Sequence, residues 1–424
     1  MLACYFRNLF KNTKDGIIQL GCIRDCVKNT QIDYIYTAGS YSQRIGGETE
    51  RAAASVRETY SKDGLEFYVL GAYTINYICK FLDLLSKCYV RTVILPYLAP
   101  IQRLLLAEKI PANIKERKDL IAFLEEPYAY LREQNVGQVF FLYENGTAIS
   151  KEPEELEEGY KFEPVEEKVK KLVTEMEGYE IPLVKAGYMI LEQWIFYLGV
   201  YGPDMREISQ FVRGELYDSN RKREELFTDI NRTSKEFQKK FGEHPYATIA
   251  MYQGPVSARP SEKNSLLTAK VFQREQKCIE RALCNGTDCT MRCQHEHDYD
   301  VMQYHKNKEK DEDRFGVLLL GNVSLQKYFS EVTMRFWKFR EKIRAVTLPD
   351  CGVEQYWNAQ ALQLIRGKDV RYWLCPIRND TSTRALLQIM TESSFNRLIQ
   401  LNHEYGFCMA GYLVPVEYGQ RLSQ

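Results

Sequence analysis

Short apolar runs alternate with polar stretches along the chain, in a rhythm that predicts an α/β protein. Five runs in the first third have the length and make-up of strands: GIIQLGCI (16–23), IDYIYTAG (32–39), LEFYVLG (65–71), VRTVILPY (90–97) and QVFFLY (138–143). They are rich in β-branched and aromatic residues, which suit a packed, pleated surface. Between the third and fourth runs, INYICKFLDLLSKC sets Ile75, Ile78, Leu82 and Leu85 at helical spacing. Strand, helix, strand predicts a βαβ unit, and with it a mixed or parallel sheet carrying helices on its faces.

The middle of the chain is different. KEPEELEEGYKFEPVEEKVKKL (151–172) is dense in charge and predicts an exposed loop leading into a helix. The apolar segment MILEQWIFYLGVYGP (189–203) follows, and then a mixed-charge region (204–242) that reads as surface helices. Strand-like runs resume with YATIAMY (246–252) and SLLTAKVF (265–272), then FGVLLLGNV (315–323) and DVRYWLCP (369–376), before the helix-prone TSTRALLQIM (381–390). The expected organisation is one domain over residues 1–424. It carries two insertions, a charged and largely helical one at 151–245 and a Cys/His-rich one at 277–314.

Composition changes this picture little. The 424 residues are 45% hydrophobic and 27% charged, enough for a sizeable core. The 57 basic and 57 acidic side chains cancel, so charge gives no indication of nucleic-acid binding. The local run NRKR (220–223) is read as a solvated face. No stretch of about 18 uncharged apolar residues predicts a membrane span, and charges interrupt the N-terminus where a leader would need an apolar run. The expected location is therefore cytoplasmic. There the 12 cysteines are expected as thiols or metal ligands rather than disulfides.

Five corners carry the candidate chemistry: IYTAGSYS (35–42), LGAYTINYICKFLDLL (70–85), NSLLTAKVF (264–272), LLLGNVSL (318–325) and LCPIRNDTST (374–383). In this order they resemble the metallo-β-lactamase fold. The first resembles the early strand that ends in Asp before a Gly-Ser turn, and the second the His-x-(His/Asp)-x-Asp-His loop with its helix. The third resembles an Asn-x-x-Ser-Leu strand, the fourth the strand ending in Gly-Asp, and the fifth the Pro-His-His-Gly-Ser turn. The resemblance implies an α/β fold of the αββα sandwich type with metal ligands on loops at one edge. It maps the ligand positions onto Thr37, Ala72, Thr74, Asn76, Tyr77, Asn322, Ile377 and Arg378.

Those side chains do not suit the family's reaction. A zinc hydrolase needs imidazole and carboxylate donors at fixed geometry, because the metal must bring the pKa of bound water down to about 7. Alanine and isoleucine have no donor, threonine and asparagine are weak ones, and a phenol titrating near about 10 is a poor ligand at neutral pH. None of the five histidines (His244, His295, His297, His305, His403) falls in these corners. The loss is physically coherent: carboxylates left in a partly buried pocket without a cation would repel one another, and neutral side chains remove that cost. The resemblance thus leads to the expectation of a catalytically inactive member of the family.

A second cluster stands apart. Within KCIERALCNGTDCTMRCQHEHDYD (277–300), Cys278, Cys284, Cys289 and Cys293 precede His295 and His297. Four of 12 cysteines and two of five histidines thus fall within 20 residues. Thiolates and imidazoles at short spacing suit tetrahedral zinc, and NGTD (285–288) supplies a turn. The expected cofactor is a structural zinc held by Cys284, Cys289 and Cys293, with Cys278, His295 or His297 as fourth ligand. Zinc affinity of about 10–16 kcal/mol is ample to order a polar insertion.

The leading functional expectation is a non-enzymatic interaction or regulatory subunit with a protein partner. By analogy with degenerate hydrolase-fold proteins, its setting would be a bacterial defence or toxin-like system. Two alternatives stay open. One is a hydrolase of nuclease or phosphodiesterase type with a relocated polar site around Tyr73, Asn76, Tyr77, Arg378 and Asp380. The other is a sensor that binds a nucleotide or phosphate compound in the former cleft, through Arg378 and backbone N–H groups near Gly39.

Overall fold

The structure is a computed structural model. It describes residues 4–12, 16–25, 28, 30–39, 64–144, 158–192, 194–218, 230–242, 246–256, 266–273, 316–353, 356–358, 360, 372–376, 397–401 and 405–413. Among them the chain is mixed α/β, with two large mixed sheets and eight α-helices.

The first sheet has nine strands. They are β1 (Cys4–Asn12), β2 (Gly16–Asp25), β3 (Thr30–Gly39), β4 (Leu65–Leu70), β5 (Val90–Pro96), β6 (Val136–Tyr143), β8 (Leu183–Lys185), β12 (Leu266–Gln273) and β17 (Tyr405–Leu413). Their spatial order is β12-β17-β1-β2-β3-β4-β5-β6-β8. Pairing is antiparallel from β12 to β3 and parallel from β3 to β8. The second sheet has eight: β7 (Gly159–Lys161), β9 (Tyr188–Leu191), β10 (Trp194–Tyr201), β11 (Thr248–Pro255), β13 (Gly316–Leu319), β14 (Ile343–Thr347), β15 (Tyr372–Pro376) and β16 (Arg397–Leu401). They run β16-β15-β14-β13-β11-β10-β9-β7, parallel from β16 to β13 and antiparallel beyond.

The helices are α1 (Ile75–Leu85), α2 (Pro100–Glu108), α3 (Lys118–Glu125), α4 (Pro127–Arg132), α5 (Glu167–Glu177), α6 (Met205–Asp218), α7 (Ile230–Phe241) and α8 (Leu325–Phe336). The predicted βαβ unit is β4–α1–β5, with β4 and β5 parallel and adjacent. Parallel neighbours need such a crossover, because a short turn cannot return the chain to its starting end.

The two sheets meet through aromatic side chains. Phe67 on β4 and Tyr34 on β3 each set a ring edge-to-face against Phe196 on β10, at 4.8 Å between centroids. Such pairs add about 0.5–1.5 kcal/mol beyond the area they bury. Tyr34 fits because its neighbour across β2 is Gly21. A Cβ there would lie 1.9 Å from Cζ of the tyrosine ring. Helices cover other surfaces: α1 sets Phe81 on Tyr68 of β4, and α8 sets Phe336 on Tyr197 of β10.

Among the described residues of 151–245, where a largely helical insertion is expected, strands stand beside the helices. Besides α5–α7 they supply β7, β8, β9 and β10, and every residue of β10 is buried. WIFYLGVY is apolar on both faces because both faces are covered, the pattern of a central strand. The described part of this segment thus contributes β7, β9 and β10 to the second sheet and β8 to the edge of the first.

Candidate functional site

Several predicted corners converge where the carboxyl ends of parallel strands in the two sheets approach each other. Ligands in α/β sheets are held at such ends. β3 ends in Thr37, Ala38 and Gly39, and β4 ends at Leu70, followed by Gly71, Ala72 and Thr74 before α1. Beyond β13 come Leu320, Gly321 and Asn322, and β14 leads into a 3-10 turn, Pro349–Gly352.

The six predicted positions within the described residues are all buried: Thr37, Ala72, Thr74, Asn76, Tyr77 and Asn322. Ala72 forms an isolated antiparallel bridge with Thr248 at the start of β11, so the loop of one sheet is stitched to a strand of the other. The amide of Gly71 donates to Thr37 O at 2.7 Å, and Ile249 N donates to Gly71 O at 2.7 Å. Thr248 Oγ1 donates to the same carbonyl at 2.8 Å and accepts Asn322 N at 3.3 Å. Tyr36 Oη donates to Ile249 O at 2.7 Å. Asn322 Nδ2 donates to Gly39 O, and lies 3.4 Å from Asp350 Oδ1. Gly321 at φ +57° makes the turn that presents Asn322. A side chain would be strained in that left-handed backbone, and its Cβ would fall 2.6 Å from Tyr36 Oη.

Three polar atoms of this rim are buried without a hydrogen-bond partner: Thr74 Oγ1, Tyr73 Oη and Asn322 Oδ1. Thr74 is the residue preceding α1, and its backbone C=O accepts Ile78 N, but its hydroxyl makes no cap hydrogen bond. Thr37 Oγ1 and Tyr68 Oη lie 3.0 Å apart, and burial holds the Tyr68 phenol far above its ordinary pKa. Burial does the same to Tyr36 and Tyr73. These hydroxyls stay protonated at every physiological pH, so the rim offers neutral O–H groups rather than phenolate ligands. Lys80 on α1 is buried too, with Nζ 4.5 Å from the Tyr77 ring centre, a cation–π contact.

Asp350 also stands in this rim, although the five corners do not include it. It is buried, sits at φ 40°, and its N–H donates to Gly321 O at 2.8 Å. LPDCG (348–352) at the end of IRAVT (343–347) is the signal that would find it, an acid in a Gly-containing turn after a strand. Thr248 and Tyr36, the hydrogen-bonding hubs, are ordinary strand residues in sequence and give no such signal.

Ile377 and Arg378 lie outside the described residues, as do Asp380 and all five histidines. So do Cys278, Cys284, Cys289, Cys293, His295 and His297. Among the described residues, no three His, Cys, Asp or Glu side chains come together as a metal would require. No described helix is long and apolar enough to cross a membrane. Among the described residues, the donors gathered at the rim are hydroxyls, carboxamides, backbone carbonyls and one carboxylate. That set does not fit the zinc centre of a hydrolase. Compared with known proteins, the chain matches no family model and no curated protein.

Proposed function

We propose that this chain is a metallo-β-lactamase-type αββα sandwich whose catalytic edge has been converted into packing, and that it serves as an interaction or regulatory subunit of another protein. The fold part is supported by two mixed sheets that touch through Tyr34, Phe67 and Phe196, with α1 against one and α8 against the other. It is also supported by the position of three of the resembling corners, those after β3, β4 and β13, at strand carboxyl ends.

One observation carries the functional part. Where the family would hold zinc, Ala72 is bridged to Thr248 across the two sheets, Asn322 N donates to the hydroxyl of the same threonine, and the other described ligand positions, Thr37, Thr74, Asn76 and Tyr77, are buried side chains without charge. A hydrolase needs an open coordination position and an activated water. The described positions offer hydroxyl, carboxamide and backbone groups instead, which supports a role other than hydrolysis. The expected partner is a protein, and the expected setting a bacterial defence or toxin-like system.

The reading keeps the structural zinc of the Cys/His-rich segment as a separate proposal, with Cys284, Cys289 and Cys293 as core ligands. Metal analysis of the purified chain is expected to give zinc that is lost in Cys289→Ser and Cys293→Ser. Zinc content unchanged in both variants rules that centre out. The functional reading is tested by assaying phosphodiester and β-lactam hydrolysis beside affinity purification from the native host. Absence of turnover with a stoichiometric protein partner is the expected result. Turnover abolished by Asn76→Ala or Asn322→Ala overturns it.

A further inference from the structure

We propose that the two sheets are joined by one internal water, held by Asn8 and Gln19 of the first sheet and Gln253 of the second. This stands apart from the reading of the rim and does not depend on it.

Three carboxamides stand on the facing surfaces of the sheets, among aromatic and aliphatic neighbours. Asn8 on β1 lies opposite Gly21 and Met409, Gln19 on β2 opposite Phe10 and Tyr36, and Gln253 on β11 opposite Phe196 and Val317. Asn8 is 1% exposed, and Gln19 and Gln253 are 0% exposed. Polar groups buried so deeply are held by hydrogen bonds in native folds.

The side chains form one linked group. Asn8 Oδ1 lies 2.9 Å from Gln19 Nε2 and 2.8 Å from Tyr34 Oη, and the same phenol contacts the Gln253 carboxamide. These contacts use one end of each amide. The other ends, Asn8 Nδ2, Gln19 Oε1 and Gln253 Nε2, have no hydrogen-bond partner among the described residues. Each is bonded to the same carbon as an atom of the linked group, so the three lie around one centre at Asn8 and Tyr34.

The count of protons identifies the occupant. Tyr34 has a single O–H and cannot donate to both Asn8 and Gln253. Two arrangements of the amides supply every contact with a proton. In the first, Gln19 and Tyr34 donate to the Asn8 oxygen, and the turned Gln253 amide donates to the phenol oxygen. The ends left over are then one amide nitrogen, of Asn8, and two carbonyls, of Gln19 and Gln253. In the second, Asn8 and Gln19 are both turned, so that Asn8 donates to Gln19 and to the phenol oxygen, and Tyr34 donates to Gln253. The ends left over are then one carbonyl and two amide nitrogens.

Either set mixes donors with acceptors. A metal cation cannot accept from an N–H, and a halide cannot donate to a carbonyl. The linked group is also neutral throughout, so an ion buried there would lack a counter-charge. Water both donates and accepts, and a buried water makes about three hydrogen bonds. It closes the three ends into one network that spans both sheets. A polar network satisfied in this way specifies one packing of a core, because sliding either sheet separates Gln253 from its partners on the other.

A crystal structure of the full chain that resolves waters tests this. It is expected to show one ordered water within hydrogen-bond distance of the Asn8, Gln19 and Gln253 side chains. An ion at that place overturns the proposal, and so do three carboxamides bonded to one another with no water between them. In solution, relaxation dispersion of the water oxygen nuclei counts the waters held inside a protein. Gln19→Met with Gln253→Met keeps side-chain length and leaves Asn8 as the sole carboxamide of the group, short of the two to four polar partners of a buried water. The count is expected to fall by one from wild type, with near-ultraviolet circular dichroism as a check that the variant folds. An unchanged count in the folded variant overturns the proposal. If the double variant does not fold, the wild-type crystal structure decides by itself.

Discussion

Arg103 and Glu177 form a two-pronged ion pair, Nη1 to Oε1 and Nη2 to Oε2 both at 2.8 Å, with side chains only 4% and 2% exposed. The remaining guanidinium donors reach the carbonyls of Leu98, Leu124 and Glu125 at 2.9–3.1 Å, and Tyr97 Oη donates to Glu177 Oε1 at 2.8 Å. The pair therefore ties α2, the end of α3 and the end of α5 to the loop after β5. Truncating the acid leaves a buried cation with no counter-charge, which costs about 3–5 kcal/mol. Glu177→Ala is expected to lose that much in urea unfolding. A loss below about 1 kcal/mol would show that α5 is held by apolar contacts alone.

Between the sheets lies a second polar joint. Tyr34 Oη is 2.8 Å from Asn8 Oδ1 and also contacts Gln253 Oε1, while Gln19 Nε2 donates to Asn8 Oδ1 at 2.9 Å. A phenol has one proton, so it cannot donate to both amide oxygens. Turning the Gln253 amide over lets its N–H groups donate to the phenol oxygen. Tyr34→Phe keeps the ring against Phe67 and Phe196 but leaves Gln253 without this partner. Leaving a buried amide unpaired costs about 1–3 kcal/mol. Chemical denaturation is expected to show a loss in that range, with little change in near-ultraviolet circular dichroism.

Asn322→Asp places a second carboxylate beside buried Asp350. Without a cation the two like charges share one proton and the folded-state pKa of the pair rises. Protons are then bound more tightly by the folded than the unfolded chain, so stability relative to wild type falls as pH rises above about 4. The variant is expected to be close to wild type at pH 4 and roughly 2–3 kcal/mol less stable at pH 7, since each tenfold gain in proton affinity is worth about 1.4 kcal/mol. If added zinc instead stabilises it strongly at pH 7, the rim can hold a metal and the functional proposal fails.

Burial pushes the Cys79 thiol up to about 11 and Cys375 up to about 12. The buried phenols of Tyr36, Tyr73 and Tyr252 are held far above their ordinary range for the same reason. In the unfolded chain these groups ionise near their ordinary values, about 8.5 for thiol and about 10 for phenol. The unfolded state therefore releases protons first, and stability present at neutral pH is lost as pH rises above about 9. Melting temperature is expected to be flat from pH 7 to 8 and to fall steadily above pH 9. Native Cys79 is expected to resist thiol reagents at pH 8 and to react fully in denaturant.

Much of the first sheet is legible along the chain. The strand runs at 16–23, 32–39, 65–71, 90–97 and 138–143 form β2 to β6, and the helical spacing of Ile75 to Leu85 forms α1. Each is a local pattern of two or 3.6 residues, set by which side of the element faces the core. Other elements escape. IRAVT, which forms β14, is short and begins beside charged residues, and WIFYLGVY reads only as an apolar segment within an insertion. The periodicity of such runs does not distinguish strand from helix or core from decoration.

The sequence by itself determined that this is an α/β chain with a βαβ core, and that no imidazole falls in the five corners resembling a metal site. Those are statements about side-chain type and local spacing, which the residues carry wherever the chain goes. Only the tertiary structure decided that Gly39, Ala72, Thr248, Asn322 and Asp350, from distant parts of the chain, form one buried joint. Hydrogen bonds between strands of two different sheets leave no periodic trace in the sequence, because their partners are chosen by strand order and packing rather than by neighbouring residues.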